Sequence, residues 1–177
     1  MKMSNAFRVA KESAVKAFDA FRIKIGFDPS VFRVRLGGPE TTNQIVASLG
    51  FPVNGYIVQE DFPLKSREIE KVEIELVKPG KYIKNEKEGL AILAEHKLER
   101  PTYEHALRFA EQYGRIAIFF KREKIIFWHK PVNAQGYGLQ VMCLSRYPKF
   151  RFLDLCSPHN GFGHDYNCVL AGVRPHK

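Results

Sequence analysis

The sequence predicts an α+β fold: one strand, two helices, then a run of strands. Three observations carry that expectation. Val72, Ile74 and Leu76 alternate with Glu73 and Glu75, the period of a half-buried strand. Two capped helical stretches follow, opening at Asn85 and Thr102, and the second stops at Gly114. After Gly114 every apolar run is short and rich in β-branched and aromatic residues, as strands are.

The elements read in order as follows. Residues 4–25 form an amphipathic helix, with Phe7, Ala10, Ala14, Phe18, Phe21 and Ile25 at helical spacing. Between Asp28 and Pro63, Gly37-Gly38-Pro39 and Phe51-Pro52-Val53-Asn54-Gly55 punctuate strand candidates at Val31–Leu36 and Tyr56–Val58. No Gly-Lys-Ser/Thr follows the first of these, so it reads as a turn and not as a phosphate loop. These residues make an N-terminal extension, 1–65, and the main domain spans 66–177.

In that domain the strand from Ile69 ends at Pro79-Gly80. Asn85 caps the next helix, with Glu88 in capping-box position and Leu90, Leu93 and Ala94 toward the core. Thr102 caps the second, whose apolar face is Tyr103, Ala106, Leu107, Ala110 and Tyr113. Ile116–Phe120 and Ile125–Trp128 flank Lys121–Lys124 as a hairpin. Leu139–Leu144, Phe150–Leu155 and Val169–Arg174 complete the strands, and the last finds its natural partner in Val72–Val77.

Bulk properties narrow the function classes. A chain of 177 residues, 45% hydrophobic, can bury a real core, which argues against wholesale disorder. The net charge of +9 permits an anionic partner, but the basic residues are dispersed and read as a solvated surface. Three cysteines without a Cys-x-x-Cys pair do not make a disulfide framework and suit a reducing compartment. The N-terminus lacks the apolar core of a secretory signal and no apolar run reaches membrane-spanning length. Synthesis in a cytoplasm is expected, with the product there or on a virion.

The most unusual stretch is Cys156–Cys168, where Ser, His, Asn, Gly, Asp, Tyr and Cys lie between two strand-like runs. It contains no Met, Trp, Gln, Lys or Glu, the five residues that an Asn codon cannot reach by changing its two adenines. Four kinds of chemistry fit such residues. Cys156, His159, His164, Asp165 and Cys168, joined by His129 and Cys143, are able metal ligands, although the cysteines lack paired spacing. Cys156 or Cys168 beside His and Asp suits a thiolate enzyme, although no helix start adjoins either one. Ser145–Phe152 interleaves basic and aromatic residues, as a platform for RNA or single-stranded DNA does, but also as a one-sided strand does. Tyr, Asn, Ser, Gly, His and Asp on loops between strands have the composition of a binding surface.

Short motifs add a resemblance. Leu153-Asp154, Asn160-Gly161-Phe162, Asp165-Tyr166-Asn167 and Val169–Arg174 resemble the C-terminal end of variable proteins of diversity-generating retroelements. Arg100–Ala106 resembles the opening of the second helix in their C-type lectin fold, and the likeness covers residues 69–177. The compact form is most similar to the short members from archaea and their viruses. The resemblance implies a non-enzymatic recognition protein, diversified when a reverse transcriptase misreads template adenines. It implies diversified positions at Cys156, Ser157, His159, Asn160, Gly161, Gly163, His164, Asp165, Tyr166 and Cys168. A second set is Gly136, Tyr137, Ser145, Arg146 and Tyr147, so the variable region is about 130–170. Phe162 and Val169–Val173 would be scaffold. Gly161 and Gly163 depart from the family pattern, where Asp and Asn are common. No cofactor is implied, and no paired acidic ligands for calcium are present. The expected partner is a protein or cell-surface ligand, with the N-terminal helix available for a homo-oligomer.

Overall fold

The computed structural model describes residues 30–114, 124–136, 138–147, 150–159 and 168–175, and the side chains of Tyr147 and Phe150 are not described. The helix expected at 4–25 and the strand expected at 116–120 lie outside the described residues. Phe32–Lys177 forms one compact unit, so residues 32–65, expected in an extension, belong to it.

Among the described residues six strands form one mixed sheet: β1 (Val31–Gly38), β2 (Arg67–Val77), β3 (Lys124–Asn133), β4 (Leu139–Tyr147), β5 (Phe150–Cys156) and β6 (Cys168–Val173). Their order across the sheet is β1-β2-β6-β3-β4-β5. The C-terminal strand β6 therefore lies inside the sheet. It runs antiparallel to β2, with Ile74 opposite Val173, and parallel to β3, with Ile126 opposite Leu170. The expected partnership of the last strand with Val72–Val77 is observed.

Among the described residues three helices pack on this sheet: α1 (Thr42–Ser48), α2 (Glu86–Glu95) and α3 (Tyr103–Tyr113). Strand alternation divides the core into two layers. On one face Ile125, Phe127, Met142, Leu144, Val169, Ala171 and Val173 pack with Ile45 of α1 and Leu107 and Phe109 of α3. On the other face Ile126, Trp128, Val141, Cys143 and Leu170 pack with Ile92 and Leu93 of α2. Burial on both faces explains why β3 and β6 read as nearly unbroken apolar runs.

Helix α1 escapes the sequence reading, because its short span lies among turn signals. Thr41 is its cap: the Gln44 N–H donates to Thr41 Oγ1, and Gln44 Oε1 accepts from the Thr41 N–H at 2.8 Å. Tyr56–Val58 is not a strand, although Ile57 is buried there. Asn85 caps α2 as expected, accepting from the Glu88 N–H at 3.1 Å. Ala94 faces solvent, and Ile92 takes the core position expected of it. Strand β4 continues beyond the expected end at Leu144 to Tyr147.

The outer edge of β1 is closed by side chains of α3. Gln112 acts as a false peptide, accepting from the Arg35 N–H at 3.0 Å and donating to the Arg35 carbonyl at 2.9 Å. Glu104 accepts from the Gly37 N–H, Arg108 donates to the Gly37 carbonyl, and the Tyr113 hydroxyl donates to the Arg33 carbonyl. Residues 104, 108 and 112 recur every fourth position, so one helix face meets one strand edge. On the far edge, the Asn54 N–H donates to the Leu153 carbonyl and the Leu153 N–H to the Pro52 carbonyl. Neither edge offers a full row of unpaired groups to another strand.

Two glycines leave room for side chains of the α2-side core. A Cβ at Gly172 would lie 2.7 Å from Leu98 Cβ, and one at Gly89 would lie 2.5 Å from the Trp128 ring. Alanine in place of a helical glycine ordinarily stabilises by about 1 kcal/mol. Gly89→Ala is expected to reverse that sign, destabilising by about 1–3 kcal/mol through overpacking, as measured by urea denaturation. Leu107, fully buried on α3, should cost about 2–5 kcal/mol when truncated to Ala in the same assay.

Candidate functional site

The ends of β3, β4, β5 and β6 bring together residues that are distant in sequence. Lys124 opens β3 and is half-buried. Cys168 of β6 lies opposite it on one side and Ser145 of β4 on the other. Across the next pair Cys143 faces Asp154, and Val141 faces Cys156. Directly paired residues share a sheet face, and so do residues two apart along a strand. Lys124, Cys143, Ser145, Asp154, Cys156 and Cys168 therefore occupy one face, at the border of the α2-side core.

The thiols are not isolated. Cys143 Sγ lies 3.7 Å from Ser145 Oγ, and the Cys156 thiol donates to the Val141 carbonyl at 3.5 Å. The neighbouring Cys156 thiol holds the Cys143 thiol below its ordinary pKa against burial, and the Lys124 charge helps. The Cys143 thiol and burial together push Cys156 well up. Burial alone would lower Lys124, but the three thiols and Asp154 around it keep its pKa raised. Asp154 is held in place by the Asn54 amide at 2.9 Å and by the Leu155 N–H at 2.8 Å.

The expected site residues separate by position. His159 and Arg146 are exposed, and Ser157 is half-buried, with its Oγ accepting from the His159 N–H at 3.3 Å. Gly136 is exposed in a turn with φ +83°, a conformation that glycine adopts without strain. Ser145, expected among the displayed positions, is buried within β4. Cys156 and Cys168 are half-buried against the α2-side core. Asn160, Gly161, Gly163, His164, Asp165, Tyr166 and Tyr137 lie outside the described residues, as does the Tyr147 side chain.

The alternative chemistries can be placed as well. His129, a possible metal ligand by sequence, is buried where the β3–β4 register shifts. Its Nε2 accepts from the Met142 N–H at 2.9 Å and its Nδ1 donates to the Lys130 carbonyl at 2.7 Å, so both ring nitrogens are engaged. Among the described residues no three His, Cys, Asp or Glu side chains are placed to hold a metal ion. Of the two arginines in the basic-aromatic stretch, Arg146 is exposed and Arg151 buried. A separate cleft of about 530 Å³ between β1 and α3 includes Arg35, Glu40, Arg108 and Glu111. Its buried Arg108 is already paired with Glu40 at 2.9 Å and Glu111 at 3.0 Å. No helix among the described residues is long and apolar enough to cross a membrane.

Sequence reasoning missed Lys124, assigned to a hairpin turn, and Asp154, noted only as a motif residue. The alternation of Cys143 with Ser145, and of Asp154 with Cys156, was the available signal. The chain matches no family model, no curated protein and no solved structure.

Two buried histidines give the fold a pH dependence. Burial lowers His129 to about 4, and it lowers His105, whose Nδ1 accepts from the Thr102 N–H at 3.0 Å, to about 4 as well. Both are neutral in the fold and take up protons in the unfolded chain, whose histidines titrate near about 6.5. Their stabilisation is complete above that value and is lost as pH falls toward 4. Urea unfolding should lose about 2 kcal/mol per histidine between pH 6.5 and 5, where carboxylates remain largely ionised. A flat profile across that window would contradict the assignment.

Proposed function

We propose that this chain is a non-enzymatic recognition protein whose C-terminal surface is diversified by adenine-directed retroelement mutagenesis. The observation that carries this reading is the make-up of Cys156–Cys168, rich in adaptable contact residues and confined to those that mutated Asn codons can encode. The architecture supports it. The segment joins β5 to β6, and both strands are anchored by buried residues, Leu153 on one side and Val169 to Ala171 on the other. Substitution at exposed positions between two anchored strands costs little core packing.

The C-type lectin fold is the finer architectural statement within this proposal. Strand β2, helices α2 and α3, and a run of strands ending antiparallel to β2 follow the element order that the resemblance implies. Burial refines the displayed set. Arg146, Ser157, His159 and Gly136 reach solvent, whereas Ser145 does not. The ligand is a protein or cell-surface molecule chosen by whichever variant is displayed, so no single ligand is encoded.

Sequencing the 3′ end of the gene and its neighbourhood across many isolates tests this reading. Changes should cluster in codons 130–170, opposite adenines of a nearby imperfect repeat, and should spare Val169–Val173. An invariant tail with no neighbouring repeat would overturn it.

A further inference from the structure

Strand β3 does not pair evenly with β4. Phe127 lies opposite Met142, and the next pair is Val132 opposite Gln140, so Trp128 to Pro131 face Val141 alone. Such a gap removes backbone partners from the ladder, and Pro131 has no N–H to offer. Side chains take their place. Arg100 Nε donates to the Trp128 carbonyl at 2.9 Å, and its Nη2 donates to the His129 carbonyl at 2.7 Å. The His129 residue is 1% exposed. Its Nε2 accepts from the Met142 N–H at 2.9 Å, and its Nδ1 donates to the Lys130 carbonyl at 2.7 Å. Phe62 and Tyr103 pack edge-on against the ring, with centroids 6.3 and 6.1 Å away.

Beyond the gap the hairpin is lightly tied. Its strand pairs there are Val132 with Gln140 and Asn133 with Leu139, and the Ala134 N–H donates to the Gly138 carbonyl at 3.3 Å. Ala134 is its buried apolar anchor, whereas Lys130, Asn133, Gln135, Gly136 and Leu139 are exposed.

We propose that the β3–β4 hairpin beyond this gap opens apart from the rest of the sheet, and that the neutral His129 imidazole is the latch that acid releases. The latch depends on one lone pair. Nδ1 carries the proton of the neutral ring, so Nε2 is left to accept from Met142. A second proton turns Nε2 into a donor aimed at a donor, in a buried site where an unmet group is costly. Arg100 is the charged group that faces the ring, and it pairs in turn with Glu86. Tyr103 of α3 is the titratable neighbour, and its hydroxyl donates to the Pro63 carbonyl at 2.7 Å. Phe62 and Met142 bring no charge. Among the described residues no carboxylate bonds to the ring, so nothing there offsets an imidazolium.

Burial, helped by Arg100, holds His129 at about 4, against about 6.5 once the ring reaches water. The open hairpin therefore binds the proton more tightly than the closed one. Closure is fully supported above about 6.5 and loses that support as pH falls toward about 4. His105 titrates in the same window, but it bonds to Thr102 at the start of α3 and takes no part in the hairpin. The latch stands whether or not the recognition reading does. Gly136 of the second candidate set lies on this hairpin, so release would loosen that end of the proposed surface and leave β5 and β6 paired.

The test follows backbone amide exchange of the full chain by NMR at pH 6.5 and at pH 5, with rates corrected for the intrinsic effect of pH. The Met142 amide reports on the latch directly, and the Leu170 amide of β6 is the reference. Met142 should exchange faster than Leu170 and stay indifferent to urea well below the unfolding midpoint, as a local opening does. Its protection should fall about fifteenfold between the two pH values. His129→Gln offers an amide oxygen to the Met142 N–H and no titrating proton, so its Met142 protection should be the same at both. Met142 protection that equals that of Leu170 and falls with urea in step with it would overturn the proposal, because the hairpin would then open only with the whole fold. Unchanged protection at pH 5 would overturn it too, as would the same fall in His129→Gln. The first two results are read in the parent chain and decide the matter even where the variant fails to fold.

Discussion

The last strand of the chain fills the middle of its sheet, and the other elements depend on that insertion. Strand β6 lies between β2 and β3 and hydrogen-bonds to both. Until it is in place, β2 and β3 have no shared partner and neither core layer is complete. Its six residues serve both layers in alternation: Val169, Ala171 and Val173 face α1 and α3, and Leu170 faces α2. Gly172 completes the arrangement, because a side chain there would strike Leu93 and Leu98. The pairing of Ile74 with Val173 joins residues almost a hundred positions apart. Such non-local pairing is slow to form, since the closure entropy is spent before any contact is gained.

Much of this was legible in the sequence, for identifiable reasons. The alternation at Val72–Leu76 and the apolar run at Val169–Val173 marked β2 and β6 as partners, and the structure pairs them. Asn85 and Gly114 marked helix ends through local hydrogen bonding, which needs no knowledge of the fold. Helix α1 was not legible, because its seven residues depend on contacts with distant segments. Thr42 Oγ1 donates to the Phe62 carbonyl, and Ile45 is buried in the shared core. Ser145 was misplaced for a related reason. A polar residue in an apolar run reads as a strand end, but here a neighbouring thiol and lysine make its burial acceptable.

The candidate site divides along the same line. The composition of Cys156–Cys168 is a property of the sequence alone and could be read there. The gathering of Lys124, Cys143, Asp154, Cys156 and Cys168 is a property of register, and one-residue slips would scatter it. The sheet keeps that register partly by closing its edges. Gln112, Glu104 and Arg108 occupy the β1 edge, and residues 52–54 occupy part of the β5 edge. A surface that varies places a premium on such closure, because unguarded strand edges would turn new side chains into new self-contacts.

The central claim is that a two-sided core around β6 tolerates variation in the segment leading into it. A protease-resistance scan of every single substitution from residue 150 to 177 tests that claim most directly. The account predicts near-uniform tolerance at 157, 159–161 and 163–166. It predicts rejection of polar residues at Val169, Leu170 and Ala171, and rejection of any side chain at Gly172. Intolerance at 157, 159–161 and 163–166 equal to that of β6 would contradict it.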